Sequence, residues 1–289
     1  MAEGRRAMYY ERIEDSKVRC HLCPHNCVII PGRVGVCRAR KNVDGDLYSM
    51  NYGKITSLAL DPIEKKPLHR FHPGSLILSA GTFGCNLKCS FCQNWSIAHG
   101  NPPTADIAPQ ELVSKALEFL KDGNIGIAYT YNEPVIWYEF VYETAGLARK
   151  DGLVNVLVTN GFINQEPLRE LLPYIDAMNI DLKGFTDQYY RNTCGGALDD
   201  VMKTIETASG KCHVEVTTLV VPGLNDSIRE IEELSKWLSS ISKYIPLHLS
   251  RYFPNYRMQD RPPTPVATLL QARDKAREYL EYVYLGNVW

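Results

Sequence analysis

Residues 76–92 are LILSAGTFGCNLKCSFC. The apolar run at the start predicts a buried strand that ends near Gly81. Three cysteines, Cys85, Cys89 and Cys92, follow directly in the spacing C-x3-C-x2-C. A cubane iron–sulfur cluster normally takes four thiolates, one for each iron. A loop that supplies three leaves one iron open to a small molecule, so this stretch predicts a [4Fe–4S] cluster that can take part in chemistry.

The chain from about residue 75 onward alternates short apolar segments with amphipathic helical patterns. Predicted strands cover residues 76–79, 125–129, 153–158, 177–182, 213–221 and 245–249, with a further candidate at 282–285. Helices are predicted at 136–147, 166–172, 198–205, 228–241 and 265–282, and an earlier one is expected to be capped by Asp106. A run of β-α units predicts an α/β fold with a parallel sheet, here a partial (β/α)6 TIM-type barrel.

Residues 1–70 do not follow this repeat, and they predict a small cysteine-rich N-terminal extension ahead of a core domain at 71–289. Cys20, Cys23, Cys27 and Cys37 lie here, spaced C-x2-C-x3-C-x9-C. Such clustering favours metal ligation over a disulfide framework. Zinc, a second iron–sulfur cluster, and free or redox-active cysteines all remain open for this group.

Polar residues recur where successive predicted strands end. In a parallel barrel, the carboxyl ends of the strands and the loops after them carry the active residues. The candidates that follow the three-cysteine loop are Asn132, Glu133, Asn160, Asp181, Lys183 and Thr217. Each is unremarkable alone, and their recurrence at one end of the units predicts a shared site.

Composition limits the range of partners. The 289 residues carry a formal net charge of −1, which gives no general nucleic-acid surface and no membrane-attracted face. Residues 1–19 are charged and lack the apolar centre of a signal peptide, and no apolar run approaches membrane-spanning length. These features predict a cytoplasmic protein with neither nucleic-acid nor membrane partners.

Several stretches together resemble a known group of enzymes. They are Asp61-Pro-Ile-Glu-Lys-Lys-Pro67, Gly84–Trp95 with its three cysteines, Tyr129-Thr-Tyr-Asn-Glu-Pro134, Ile180-Asp-Leu-Lys-Gly184, Val221-Pro-Gly-Leu-Asn-Asp226 and Tyr284-Leu-Gly-Asn-Val288. The three-cysteine loop has the form of the radical S-adenosylmethionine (SAM) signature. The chain resembles the pyruvate formate-lyase activating enzyme group, and within it the radical SAM member of the AmmeMemoRadiSam system.

This resemblance implies an oxidoreductase-type enzyme with a [4Fe–4S] cluster on Cys85, Cys89 and Cys92. The reduced cluster would cleave SAM to methionine and a 5′-deoxyadenosyl radical, which takes hydrogen from a substrate such as a glycyl-radical-type or partner protein. Phe91 would then pack near the adenine. Glu133 would bind the SAM ammonium, and Lys183 the carboxylate. The remaining expected cofactor contacts are Asn132, Asn160, Asp181 and Thr217.

The resemblance also implies an electron donor such as ferredoxin or flavodoxin, and it suggests Memo-like and AMMECR-like partners or a protein substrate. The cysteines alone allow an alternative, an iron–sulfur electron carrier or metal-binding scaffold without SAM turnover. The trio could also bind zinc, or a cluster completed by Cys194 or Cys212. Glu133 could cap the helix that starts at Pro134.

Overall fold

In the computed structural model, which describes residues 4–288, the N-terminal region consists of small antiparallel sheets. Its strands are β1 (Arg5–Arg6), β2 (Tyr10–Arg12), β3 (Val18–Cys20), β4 (Val28–Ile29), β5 (Arg40–Val43), β6 (Asp46–Ser49) and β7 (Lys54–Ile55). Two three-stranded sheets result, with the orders β1-β6-β5 and β2-β3-β4. Strands β1 to β6 therefore lie outside the main sheet.

The main sheet is built from strands that come later in the chain. The remaining strands are β8 (Ser57–Pro62), β9 (Leu76–Gly81), β10 (Ala105–Asp106), β11 (Asn124–Tyr129), β12 (Val154–Thr159), β13 (Ala177–Asp181), β14 (His213–Val220), β15 (Leu247–Arg251) and β16 (Val283–Gly286). Within residues 4–288 the main sheet has eight strands in the order β16-β15-β14-β13-β12-β11-β9-β8. Its pairs are parallel from β9 to β16, and β8 adds to β9 in the antiparallel sense.

Helices follow the parallel strands and complete six β-α units before β16. They are α1 (Trp95–Ala98), α2 (Pro109–Glu118), α3 (Tyr138–Lys150), α4 (Gln165–Leu171), α5 (Asp187–Tyr189), α6 (Leu198–Ser209), α7 (Ile228–Ile241) and α8 (Val266–Ala276). The predicted α/β class and partial (β/α)6 barrel are confirmed. The candidate strand at 282–285 is also present, as the last parallel strand β16.

The start of α2 corrects one sequence prediction. Asp106 does not cap this helix, because it lies in β10, where it pairs with Lys54 of β7. The helix begins at Pro109, whose fixed φ suits the first helical position. The Glu111 carboxylate accepts the Ala108 N–H at 2.7 Å, which satisfies a free amide at the helix start. The proline therefore decides where the helix begins.

The amino-terminal end of the barrel is filled from within by the segment after β8. Ile63 and Leu68 are fully buried against apolar side chains of the strands, such as Val156. The backbone N–H groups of His69 and Arg70 donate to the carboxylate of Glu215 on β14, at 3.0 and 2.7 Å. The filled interior leaves the carboxyl ends of the strands as the place for chemistry.

The N-terminal region attaches to the barrel through a buried ion pair. The Arg40 guanidinium donates to both carboxylate oxygens of Glu139 on α3, at 2.7 and 2.9 Å, and both side chains are almost completely buried. Glu139 also accepts the Met8 N–H at 2.7 Å. Strand β8 lies within residues 1–70 but belongs to the main sheet. The predicted domain boundary at residue 70 therefore stays a prediction.

We expect Glu139→Ala to destabilise the protein strongly. Removing one partner leaves the Arg40 charge buried without compensation, which typically costs about 3–5 kcal/mol. Denaturant unfolding followed by intrinsic fluorescence measures this loss. The control is Glu233→Ala, which breaks only the exposed pair with Arg229 and should cost less than ~1 kcal/mol. Equal losses in both variants would show that the Arg40–Glu139 pair is no anchor.

Membrane insertion has no support among the helices. Over residues 4–288, none has both the length and the apolar character that crossing a bilayer requires.

Candidate functional site

The three-cysteine loop leaves the carboxyl end of β9 through a tight passage at Gly84. This residue has a φ of +94°, and an added Cβ would lie 2.6 Å from the carbonyl oxygen of Cys37. Asn132 holds the same passage, since its side-chain oxygen accepts the Thr82 N–H at 3.0 Å and its amide donates to the Gly84 carbonyl at 2.9 Å. Both polar groups of Asn132 therefore contact the backbone that leads into the cysteines.

On its other side, the loop contacts Asn160, which directly follows β12. The Asn160 amide donates to the side-chain oxygen of Asn86 at 2.9 Å and lies 3.7 Å from the sulfur of Cys85. Asn86 in turn donates to the Phe162 carbonyl at 2.7 Å. Sequence reasoning did not single out Asn86, whose only signal is its place inside the cysteine motif. These contacts fix the position of Cys85 relative to β12.

The three sulfurs lie close enough to influence each other electrostatically. Cys89 is buried, and Cys85 and Cys92 are half-buried. Burial and the Glu133 carboxylate raise the pKa of Cys85 well above its usual value, and burial raises the pKa of Cys92 to about 11. The pKa of Cys89 is lowered, because the Cys194 thiol donates a hydrogen bond to it. Such thiols bear negative charge at low cost only when a cation compensates it.

Cys194 is one of the two candidates for a fourth cluster ligand, and in the structure it lies beside the cysteine loop. It is fully buried at the end of the π-helical turn Tyr190–Cys194, and its carbonyl accepts the Lys88 N–H at 2.7 Å. Burial, followed by the neighbouring Cys89, raises the pKa of Cys194 well above its usual value. Cys89 and Cys194 therefore shift each other's pKa in opposite directions, which places Cys194 beside the cysteine loop. Cys212, in contrast, bonds the Ala208 carbonyl outside the site.

Lys183 supplies positive charge beside these sulfurs. Its ammonium pairs with the Asp181 carboxylate at 2.8 Å and lies 6.0 Å from the centre of the Phe91 ring. Burial by itself would lower the pKa of Lys183, but Asp181 and the sulfurs of Cys89 and Cys194 raise it well above its usual value. The lysine therefore stays charged at the cysteine loop.

Glu133 is the buried carboxylate of the site. It accepts hydrogen bonds from the Thr159 hydroxyl at 2.6 Å and from the Asn160 backbone N–H at 2.7 Å. It also accepts the Val135 N–H at 3.0 Å, so the capping interpretation of this residue is correct. Burial raises the pKa of Glu133, whereas these hydrogen bonds lower it. The effect of burial is larger, and the resulting pKa is about 7. A cation near this carboxylate would favour its ionised form.

The remaining candidates lie around the same end of the sheet. Phe91 is buried and stacks on Tyr189 with ring centres 6.4 Å apart. Thr217 is the register partner of Asp181, and its hydroxyl donates to Asn179 at 3.0 Å. The carboxyl end of the sheet thus joins the cysteine loop, Glu133, Asn160 and Lys183, as the strand-end pattern predicts.

The four N-terminal cysteines line a second pocket, together with Arg40 and Ile136. Within residues 4–288, no group of three or more His, Cys, Asp or Glu side chains already surrounds a point that a single metal ion could occupy.

Comparison of the sequence with known proteins identifies a family. The sequence profile of the Radical SAM superfamily matches residues 80–238. An uncharacterised protein of Methanocaldococcus jannaschii is 45% identical over 98% of this chain and 85% of its own length. The pyruvate formate-lyase-activating enzyme of Clostridium pasteurianum is 28% identical over 58% of this chain and 72% of its own length.

Solved structures show the same fold. Streptococcus suis SuiB bound to its precursor peptide SuiA superimposes with a TM-score of 0.58 and 15% identity, over 71% of this chain and 47% of that protein. The profile match spans the cysteine loop, Glu133 and Lys183 as well as the parallel strands that carry them. The chain therefore belongs to the radical SAM superfamily.

Proposed function

We propose that this chain is a SAM-cleaving enzyme of the activating-enzyme type, with a [4Fe–4S] cluster on Cys85, Cys89 and Cys92. The observation that carries the proposal is the meeting of the three cysteine sulfurs with a charged lysine and a buried carboxylate at one end of the sheet. The donor set fits, since thiolates suit iron–sulfur clusters and three of them leave one iron for a cosubstrate. When bound, the cluster supplies the electron that cleaves SAM to methionine and a 5′-deoxyadenosyl radical.

The charged residues orient the cosubstrate in this proposal. The Glu133 carboxylate accepts hydrogen bonds from the SAM amino group, and the Lys183 ammonium binds the SAM carboxylate while Asp181 holds the lysine in place. The opposite charges of these two side chains match the two ends of an amino acid. Hydrogen bonds to Thr159 and Asn160 keep the Glu133 side chain in one orientation before the ligand arrives.

The uncharged candidates have supporting roles. Phe91 offers its ring to the adenine, and Thr217 offers a hydroxyl to the ribose or methionine end. Asn160 contacts both Asn86 and Cys85, which supports a role in positioning the cluster ligand as well as the cosubstrate. Asn132 already uses both polar groups on the loop backbone, so its predicted contact with SAM would be indirect.

A protein is the proposed substrate. The support is similarity to activating enzymes of pyruvate formate-lyase, whose name states a protein target. Membership of the AmmeMemoRadiSam group, with Memo-like and AMMECR-like partners, rests on the quoted sequence stretches alone. A cytoplasmic location and a low-potential donor such as ferredoxin or flavodoxin complete the proposal. Anaerobic co-purification, followed by mass analysis of the captured protein after turnover, tests this part separately.

The direct test of SAM cleavage is anaerobic reconstitution with dithionite and SAM. We expect 5′-deoxyadenosine and methionine in equal amounts by chromatography. If none forms while spectroscopy shows an intact cluster, the electron-carrier alternative is correct. That alternative accounts for the cysteines but leaves the buried Glu133 and Lys183 without a function.

The pH dependence of SAM binding tests the role of Glu133. Its pKa of about 7 means that the carboxyl group is mostly protonated at pH 6 and mostly ionised at pH 8. The ionised carboxylate accepts the N–H groups of the SAM amino group more strongly than the protonated form, so SAM affinity should fall by up to about tenfold from pH 8 to pH 6. Anaerobic titration calorimetry measures this difference.

Two variants make the assignment specific. Glu133→Gln should bind SAM weakly with little change between these pH values. Glu118→Gln, at an exposed position on α2, should keep the wild-type profile. A pH profile that Glu133→Gln leaves intact would assign the titration to another group.

A further inference from the structure

The N-terminal region brings four thiols to one pocket that the proposed SAM chemistry does not use. Cys20, Cys23, Cys27 and Cys37 all line it, and all are free cysteines. The first three lie on one hairpin, where the Cys20 N–H donates to the Cys27 carbonyl at 2.9 Å. The fourth arrives from the segment before β5. Two segments of the chain therefore converge on one place.

Backbone amides support the sulfurs in a repeated pattern. The backbone N–H group two residues further along lies close enough to three of the sulfurs to lower their pKa, against the effect of burial, and the pairs are Leu22 with Cys20, His25 with Cys23 and Ala39 with Cys37. In the radical SAM loop, the Cys85 sulfur accepts a hydrogen bond from the Leu87 N–H at 3.4 Å, also two residues further along. The N-terminal thiols therefore share this sequence relation to a nearby N–H group with a cysteine of the radical SAM loop.

Arg40 provides an independent sign of a missing acceptor. Its side chain is 1% exposed and lines the pocket. Its outer nitrogens donate to Glu139 and to the Met8 carbonyl, whereas its Nε–H has no partner among residues 4–288. Buried polar groups in native proteins are almost always paired. A negatively charged metal–thiolate centre in the pocket would supply an acceptor for this group.

We propose that Cys20, Cys23, Cys27 and Cys37 bind a thiophilic metal centre as thiolates. Zn²⁺ and an iron–sulfur cluster share this tetrathiolate chemistry. Binding exchanges the thiol protons for the metal and draws the four side chains inward from their present positions. Two small three-stranded sheets have little core of their own, and a metal is a usual staple for such a module.

The centre would also brace the radical SAM loop. The Cys37 carbonyl packs against Gly84, one residue before the first cysteine of that loop. The ring of His25, two residues after Cys23, contacts the Asn86 carbonyl at 2.7 Å. One contact is made by the proposed ligand Cys37 and the other by a residue two positions after Cys23, and both reach residues adjacent to Cys85. The metal therefore fixes one wall of the neighbouring site.

Metal analysis of a triple variant and of two variants derived from it tests the proposal. The triple variant Cys85→Ala/Cys89→Ala/Cys92→Ala keeps the N-terminal four, and we expect it to retain about one zinc, or about four iron with sulfide, per chain. Elemental analysis after anaerobic purification distinguishes the two metals. Adding Cys23→Ser/Cys27→Ser to it should remove this metal, whereas adding Cys212→Ser should not.

A titration guards against misfolded variants. The triple variant, stripped of metal, should bind one equivalent of Co²⁺ with the absorption bands of tetrahedral thiolate ligation. A triple variant that carries no stoichiometric zinc or iron and gives no such bands would overturn the proposal. Because the radical SAM cysteines are absent from this protein, either result is independent of SAM cleavage.

Discussion

Replacing Cys85, Cys89 or Cys92 by alanine should abolish 5′-deoxyadenosine formation and lower the iron content by about four per chain. Each thiolate holds one iron of the cubane, and two thiolates on one short loop cannot retain it. The three sulfurs influence one another electrostatically and so lie together, and each substitution removes one of the three ligands that the loop supplies. Product chromatography and iron analysis measure the two effects.

Cys212→Ala is the matched control, because this residue lies outside the site and its thiol donates to the Ala208 carbonyl on α6. It should retain wild-type iron and activity. A Cys89→Ala protein that keeps its cluster through Cys194 would contradict the proposed ligand set, since Cys194 lies beside Cys89 and could take its place.

Lys183→Met should lower the rate of SAM cleavage by about 10–100-fold while the cluster stays intact. Methionine keeps most of the buried volume and removes the ammonium that faces Asp181 and the sulfurs. If the lysine binds the SAM carboxylate, KM for SAM rises and high SAM concentrations restore part of the rate. Steady-state assays at several SAM concentrations measure this.

The control for this variant is Lys203→Met, at an exposed position on α6, which should behave as wild type. A purely structural Asp181–Lys183 pair predicts a different pattern. In that case Lys183→Met would lower thermal stability and leave KM for SAM unchanged.

The site could be predicted where its residues follow the strand pattern. Glu133, Asn160 and Asp181 each lie at or just after the carboxyl end of a parallel strand, and such ends meet at one edge of a sheet. Short apolar runs fix those strands locally, so the prediction needs no knowledge of distant contacts. The fold class follows from the same repetition.

Contacts between distant segments could not be predicted in the same way. Cys194 reaches Cys89 because the π-helical turn at Tyr190–Cys194 folds back on the cysteine loop. Nothing in the sequence around Cys194 marks that return. The pairing of β8 with β9, and the burial of Ile63 inside the barrel, likewise depend on where the chain re-enters the fold.

The central claim is that the cluster keeps one iron open for SAM. Its most direct test is electron paramagnetic resonance of the reduced protein, with SAM labelled at its amino nitrogen. We predict that SAM changes the spectrum of the wild-type cluster and that the label shows hyperfine coupling to it. The claim would be contradicted if SAM left the wild-type spectrum unchanged and hyperfine coupling to the label appeared only in the Cys194→Ala variant. That result would identify Cys194 as a fourth ligand.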